Sequence, residues 1–370
     1  MALSKVNPNL ITQGASGRKN LIINGAMQVA QRGTSLTGLY NNTNYLIDRF
    51  SFGGGATDGR VTMSQDSDGP AGFANSLKLA CTTADTSIAA TEENYFQYRV
   101  EGQDLQQLKK GTSSAESMTL SFYVKGNAAA TYTAEFYDAD NQRHNGQTFS
   151  VTTSWNKVTL TYVPDTTGAY NDDNALSLYL FIWIHAGSEF TSGTFTSNTW
   201  LSNDATRRIA DQTSFYDSTS RTLNITGVQL EVGAVATNFE HRSYGEEIKL
   251  CERYYQKLTG SYAAYGQIAN MNYNSAAQAQ SAVVYRTEMR AAPSLSYTST
   301  SSNNSSSAYA IANGSSNSGA VDYIDTLLLY NPNTISTLLY TGNSAGGTAR
   351  EAGNLYVNST ITELALVAEL

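Results

Sequence analysis

The 370-residue chain is 41% hydrophobic and only 15% charged, with 24 Tyr, 29 Gly and long Ser/Thr/Asn tracts, a composition suited to solvated strands and turns. A net charge of −8 gives no broad basic footprint, which argues against nucleic acid and anionic membrane as partners. Cys81 and Cys251 lie 170 positions apart with no second Cys or His at ligand spacing, so the expectation is two buried free thiols, with no metal site, redox pair or other cofactor.

Along the chain, residues 1–19 carry a lysine but no apolar stretch, so they read as an extended arm and not as a secretory signal. Strand signals then run from 20 to 242. RVTM, SLKLACT, YFQYRV and TYTAEFYD are short candidates separated by turn-rich loops such as FGGGATDG. DLQQLKK, residues 104–110, reads as a short helical crossover. In SMTLSFYVK, Met118, Leu120, Phe122 and Val124 share one face, the period-two mark of a half-buried strand. WNKVTLTYV repeats the pattern through Val158, Leu160 and Tyr162. RTLNITGVQLEVG repeats it through Leu223 and Ile225 and resumes out of phase at Val228, which places Gly227 in a β-bulge. YDADNQRHNG brings Asp138, Asp140 and Asn141 together, but it lacks the glycine and distal glutamate of a calcium loop and reads as a turn.

One strand departs from polar-out alternation. In LSLYLFIWIH an apolar face of Leu178, Leu180, Ile182 and Ile184 is backed by Tyr179, Phe181 and Trp183. Two readings are open: a central strand whose second face is roofed by a loop or a neighbouring subunit, or a platform on which sugar rings stack. The run is far too short to span a bilayer, so membrane insertion is not expected.

SYGEEIKLCERYYQK, residues 243–257, reads as a helix. Ser243 and Glu246 form a capping box, and Gly260 follows as a stop. Tyr244, Ile248, Cys251 and Tyr255 make an apolar stripe, widened by Leu250 and Tyr254, for docking on the chain's own β domain or around a threefold axis with its copies. Every Phe, Trp, His, Lys and Cys lies at or before Lys257, so a domain boundary falls here. The remainder, 258–370, reads as a smaller Tyr/Ser/Asn-rich β domain. In it VDYIDTLLLY and TISTLLY form a hairpin across NPN, and SNNSSSAYAIANGSSNSG reads as a recognition tip or as plain solvated loop. His144, His185 and His241 sit beside no nucleophile motif, and GxSxG, HExxH and phosphate-loop patterns do not occur, so the chain is expected not to be an enzyme.

NLIINGAMQVAQRGTS, YLIDRFSF, GVQLEVGAVATNFEHRSYGEEIKLCERYYQK, TEMRAAPSLSY and ELALVAEL resemble segments recurrent in bacteriophage tail-fibre and virion-appendage proteins. The large domain also resembles the jelly roll of carbohydrate-binding modules, in which an opening NLIING-type strand pairs near a closing GVQLE-type strand. Such modules often hold a structural calcium with acidic side chains at those ends; Met27, Gln28 and Thr226 stand there in this chain. The resemblance implies an all-β protein: a jelly-roll β-sandwich domain, a short linking helix and a second smaller β domain. It also implies a non-enzymatic homotrimer of the virion, held by its arm to other virion proteins and contacting a host surface glycan. The alternatives are a capsid decoration or head-fibre protein, and a glycan-degrading tailspike-like enzyme, for which no regular solenoid repeat is visible.

Overall fold

The computed structural model describes residues 18–210, 212–258, 267–275, 278–299, 309–313, 321–324, 327–341, 352–357 and 361–370. Most of the expected arm, Gly260 and most of the Ser/Asn-rich tract lie outside the described residues.

The period-two runs become two antiparallel sheets. The first has six strands in the order Ser35–Leu39, Arg60–Asp66, Ser76–Thr83, Thr222–Val232, Met118–Gly126, Asn156–Tyr162. The second has seven: Leu201–Ser202, Arg143–Val151, Ala130–Asp138, Leu176–Ala186, Glu93–Glu101, Phe50–Gly55, Asn44–Tyr45. Neighbours in each sheet are mostly distant in sequence, as in a jelly roll rather than a meander. Leu79, Leu120, Phe122, Leu180, Ile182 and Leu230 belong to one continuous core, which removes their apolar surface from water. Register breaks between Thr226 and Gln229, with Gly227 at φ +64°. The expected bulge is there, and it lets Ile225 and Val228 both face the core. The expected helical crossover is a 3₁₀ helix, Gly102–Leu108.

The opening segment, read as a strand, is not one. Residues 20–30 are irregular, yet Leu21, Ile22, Ile23, Met27 and Val29 are buried in the core. Their backbone is satisfied by side chains: Asn20 accepts from the Ile22 and Leu230 N–H groups, and Asn24 accepts from the Val29 N–H. Leu21 N–H donates to Leu230 and Val228 N–H to Gly25, so the segment does lie against the closing strand.

The helix spans Tyr244–Glu252 and starts at the Ser243–Glu246 capping box. It is shorter than expected. Arg253 and Tyr254 turn away to donate to Glu101, and Tyr255–Lys257 pair as a strand with the last strand of the chain. Cys251 and Tyr254 belong to the jelly-roll core and Ile248 packs on it. Tyr255 lies buried under the Arg32 guanidinium, 3.7 Å from its ring. Of the two readings of the stripe, docking on the chain's own β domain is the one seen, with Tyr244 exposed and Cys251 and Tyr255 buried.

Beyond the helix, Tyr255–Lys257, Ile361–Val367 and Ser294–Ser299 form a three-stranded sheet. A seven-stranded sheet follows in the order Val321–Ile324, Tyr309–Asn313, Ala352–Val357, Gln267–Ser275, Gln278–Val284, Ser336–Thr341, Leu327–Tyr330. The expected hairpin is present as Leu327–Tyr330 against Ser336–Thr341. VDYI belongs instead to the opposite margin of that sheet. Ile324 and Leu327 are three positions apart, a reach of roughly 11 Å, so the two margins must approach and the sheet curls toward closure. Among the described residues no helix is long and apolar enough to cross a membrane.

Candidate functional site

The Leu176–Ala186 strand lies mid-sheet, and its alternation sends Leu178, Leu180, Ile182 and Ile184 to the core. Tyr179, Phe181 and Trp183 stand on the outer face. Register places Arg99, Gln97 and Tyr95 beside them on one side and Tyr137, Glu135 and Thr133 on the other. Tyr179 stacks on Phe181 at 4.9 Å and 14°, and Tyr95 meets the Phe181 and Trp183 rings edge-on at 4.6 and 5.0 Å. These are favourable aromatic geometries.

Phe190, Arg208 and Ile209, from the segment 187–210, cover this face as a roof. Phe190 approaches Trp183 to 5.4 Å, and Ile209 is fully buried in the same cluster. Arg208 from the roof lies 4.9 Å from the Tyr137 ring, 5.3 Å from Phe181 and 5.1 Å from Trp183. It also donates twice to Glu135, both at 2.8 Å, while Trp183 Nε1 donates to the same carboxylate at 2.7 Å. Burial pushes the Glu135 carboxyl up, but the Arg208 charge and hydrogen bonds, with His144 3.4 Å away, hold it below the ordinary value. The buried charge is thus paired and bonded, which is what makes such a roof stable.

Of the three predicted platform residues, Trp183 and Phe181 are sealed, at 0% and 6% exposure. Of the two open readings, the roofed strand holds for them, because Phe190, Arg208 and Ile209 occupy the surface a sugar would need. Tyr179 and Tyr137 remain half-buried at the open margin, their rings 6.0 Å apart. Arg99 lies over Tyr179 at 5.3 Å and donates to Thr43 Oγ1 and the Leu370 carbonyl. Tyr137 donates to Gln142 Oε1 at 2.7 Å. Ring faces flanked by a guanidinium and an amide can take the C–H face of a sugar while bonding its hydroxyls.

A second constellation escaped motif reading. His185 Nδ1 lies 2.8 Å from Ser214 Oγ, and Nε2 lies 2.8 Å from Glu92 Oε2. Its members are 29 and 93 positions apart, so no local spacing announces them. The order is that of an acyl-transfer relay. Here, however, Ser214 Oγ accepts from Tyr216 N–H as a helix cap, and the histidine and carboxylate are buried, so the chain of bonds pins the segments of Glu92 and Ser214 to the Leu176–Ala186 strand. Burial lowers the His185 pKa and the Glu92 bond opposes it. His144 is buried beside Glu135, and His241 packs against Phe73 and Phe239.

Asp138 pairs with buried Lys110 at 2.6 Å, as a turn-anchoring ion pair. Thr226 donates to the Asn75 carbonyl and Met27 lies in the core, and no three His, Cys, Asp or Glu side chains cluster among the described residues. Both cysteines are buried free thiols whose pKa burial raises. A cleft of about 620 Å³ at the foot of the helix is lined by Arg18, Glu240, His241, Arg242 and Lys249, among others. Glu240 there is already engaged by the Lys19 and Asn20 N–H groups.

No family model matches the chain, and no curated protein matches it. Among solved structures it is similar to a CBM4 structure at 12% identity, covering 56% of this chain and 97% of that one, with a TM-score of 0.30. A family 11 carbohydrate-binding module from Clostridium thermocellum, in complex with a β-1,3-1,4-mixed-linked tetrasaccharide, matches at 12% identity over 55% of this chain and 99% of its own, TM-score 0.28. The enzymatically active domain of bacteriophage CBA120 tailspike protein 4 matches at 14% identity over 58% of this chain and 21% of that one, TM-score 0.28. At such identities and TM-scores the likeness carries no functional argument.

Proposed function

We propose that this chain is a virion appendage protein of tail-fibre type, a non-enzymatic homotrimer that works with other virion proteins and attaches to a glycan of the host surface. The observation that carries the glycan reading is the pair of half-buried rings, Tyr179 and Tyr137, beside Arg99 at the margin of a face that is otherwise roofed. Rings held by stacking behind them lose little entropy when a sugar arrives. The phage setting is supported by the recurrent segments quoted from the sequence. Binding is favoured over cleavage because the carboxylate nearest the rings, Glu135, is fully buried and locked by Arg208 and Trp183.

The test is adsorption. Purified protein should block attachment of phage to cells, and Tyr179→Ala should weaken binding to the extracted surface polysaccharide at least about tenfold, as loss of an aromatic hot spot does. Adsorption left untouched by the wild-type protein, or reducing sugar released from the polysaccharide, would overturn the reading.

A further inference from the structure

The smaller domain carries an apolar face that stays exposed among the described residues. LLLY and STLLYT are apolar on both faces: Leu327 and Leu339 are buried, while Leu328 and Tyr330 turn outward at 48% and 57% exposure. Register sets Leu328 opposite Tyr340 and Tyr330 opposite Leu338, and the next strand adds Ala282 opposite Leu338. Val284 follows on that same face at 78% exposure, and Ile335 is exposed at 59% in the adjoining hairpin turn. The neighbouring Gln267–Ser275 strand shows the ordinary alternative, with exposed Asn270, Asn272 and Asn274 outward. An exposed patch of Leu, Tyr and Val beside a strand that turns asparagines outward marks an interaction surface.

We propose that copies of this chain pack on one another through this face. The occupant follows from charge and area. QAQSAVV, LLLY and STLLYT contain no Asp, Glu, Lys, Arg or His, although the chain carries a net charge of −8. Two such faces can meet without desolvating a charge, whereas acidic copies repel each other elsewhere. A glycan or a charged partner would find few groups to bond. The exposed fractions of Val284, Leu328, Tyr330 and Ile335, with half-buried Leu338 and Tyr340, leave roughly 500 Å² per copy, so a paired contact that covers them buries roughly 1,000 Å², the lower threshold for a specific interface. Tyrosine with branched aliphatics and no charge is interface-core chemistry. The contact shares with the proposed function only the presence of more than one copy, and the oligomeric state alone decides it.

The full chain should sediment as an oligomer at micromolar concentration. Val284→Asp and Leu328→Asp should each raise the dissociation constant at least about thirtyfold, since a buried unpaired charge is placed in the contact. Val235→Asp, at a similarly exposed site on the jelly roll, should leave the mass unchanged. Tyr330→Ser serves if either charged variant melts below the wild type. A wild type that is monomeric overturns the proposal, and so does an oligomer indifferent to both Val284→Asp and Tyr330→Ser. An oligomer that dissociates in these variants while each monomer still binds polysaccharide supports this contact and keeps it separate from the sugar site.

Discussion

Asp48 is a carboxylate placed out of reach of water, 1% exposed, with Gln31 donating to it through backbone and side chain and Arg32 at 3.6 Å. Burial pushes its pKa up to about 6, against the pull of Arg32 and Gln31 and with help from the Glu369 charge. The folded value lies above the ordinary 3.8, so the folded state binds this proton more tightly than the unfolded chain. Its stabilisation is complete below about pH 4 and is lost as pH rises through about 6, an effect on the order of 2–3 kcal/mol. Asp48→Asn mimics the protonated form at every pH. Denaturant unfolding should therefore show the variant gaining on the wild type by about 1.3 kcal/mol between pH 5 and pH 7. Parallel profiles for the two proteins would contradict the assignment. None of this was legible in YLIDRF, because the partners of Asp48 are set by the docking of distant segments. The aromatic triplet shows the same limit: Tyr179, Phe181 and Trp183 were visible as a second apolar face, but which ring stayed open depended on a roof and on the Arg208–Glu135 pair, 73 positions apart.

Elements were legible where the stabilising pattern is local. The period-two strands, the Gly227 bulge and the Ser243 capping box each rest on residues within a few positions of one another. The opening segment shows what local pattern misses. NLIING alternates like nothing in particular and is buried on all sides, which is compatible with a central strand; its backbone partners turn out to be Asn20 and Asn24 side chains. The helix end was missed for a related reason, since Arg253 and Tyr254 are drawn to Glu101, about 150 positions back. Gly25 shows how closely the opening segment sits: a Cβ there would lie 2.1 Å from the Val228 carbonyl oxygen, which is backbone and cannot swing aside. That oxygen also accepts from Asn20 Nδ2 at 3.1 Å. Gly25→Ala should cost more than about 2 kcal/mol by forcing the segment off the closing strand. Equilibrium unfolding measures it, and a loss within about 0.5 kcal/mol would mean that the segment is free to shift.

At the scale of the whole molecule the two domains are joined by charge as well as by chain. Glu369, next to last in the sequence, returns to the jelly roll and accepts from Arg32 at 2.8 Å and from Arg49 at 2.9 Å. Arg49 is almost wholly buried, its guanidinium 3.4 Å from the Tyr254 ring, and it also donates to the Arg99 carbonyl. Arg290 of the smaller domain holds the same return from outside, donating to the carbonyls of Ala368, Glu369 and Asn174. A charge pair of this burial stabilises little against an apolar substitute, but losing one partner strands the other. Glu369→Gln keeps the shape and removes the charge, leaving Arg49 with no carboxylate within the ion pair. The expected cost is about 3 kcal/mol, larger than for an exposed pair such as Lys109–Glu116, where Glu116→Gln should change stability by less than about 1 kcal/mol. Because the lost contact spans the domains, the unfolding transition should also broaden or divide, and hydrogen exchange should rise first in the strand Ile361–Val367 and in its partner Tyr255–Lys257. A variant that unfolds in one sharp transition at the wild-type midpoint would show that the apolar packing of the helix and the pairing of these strands couple the domains without the charge.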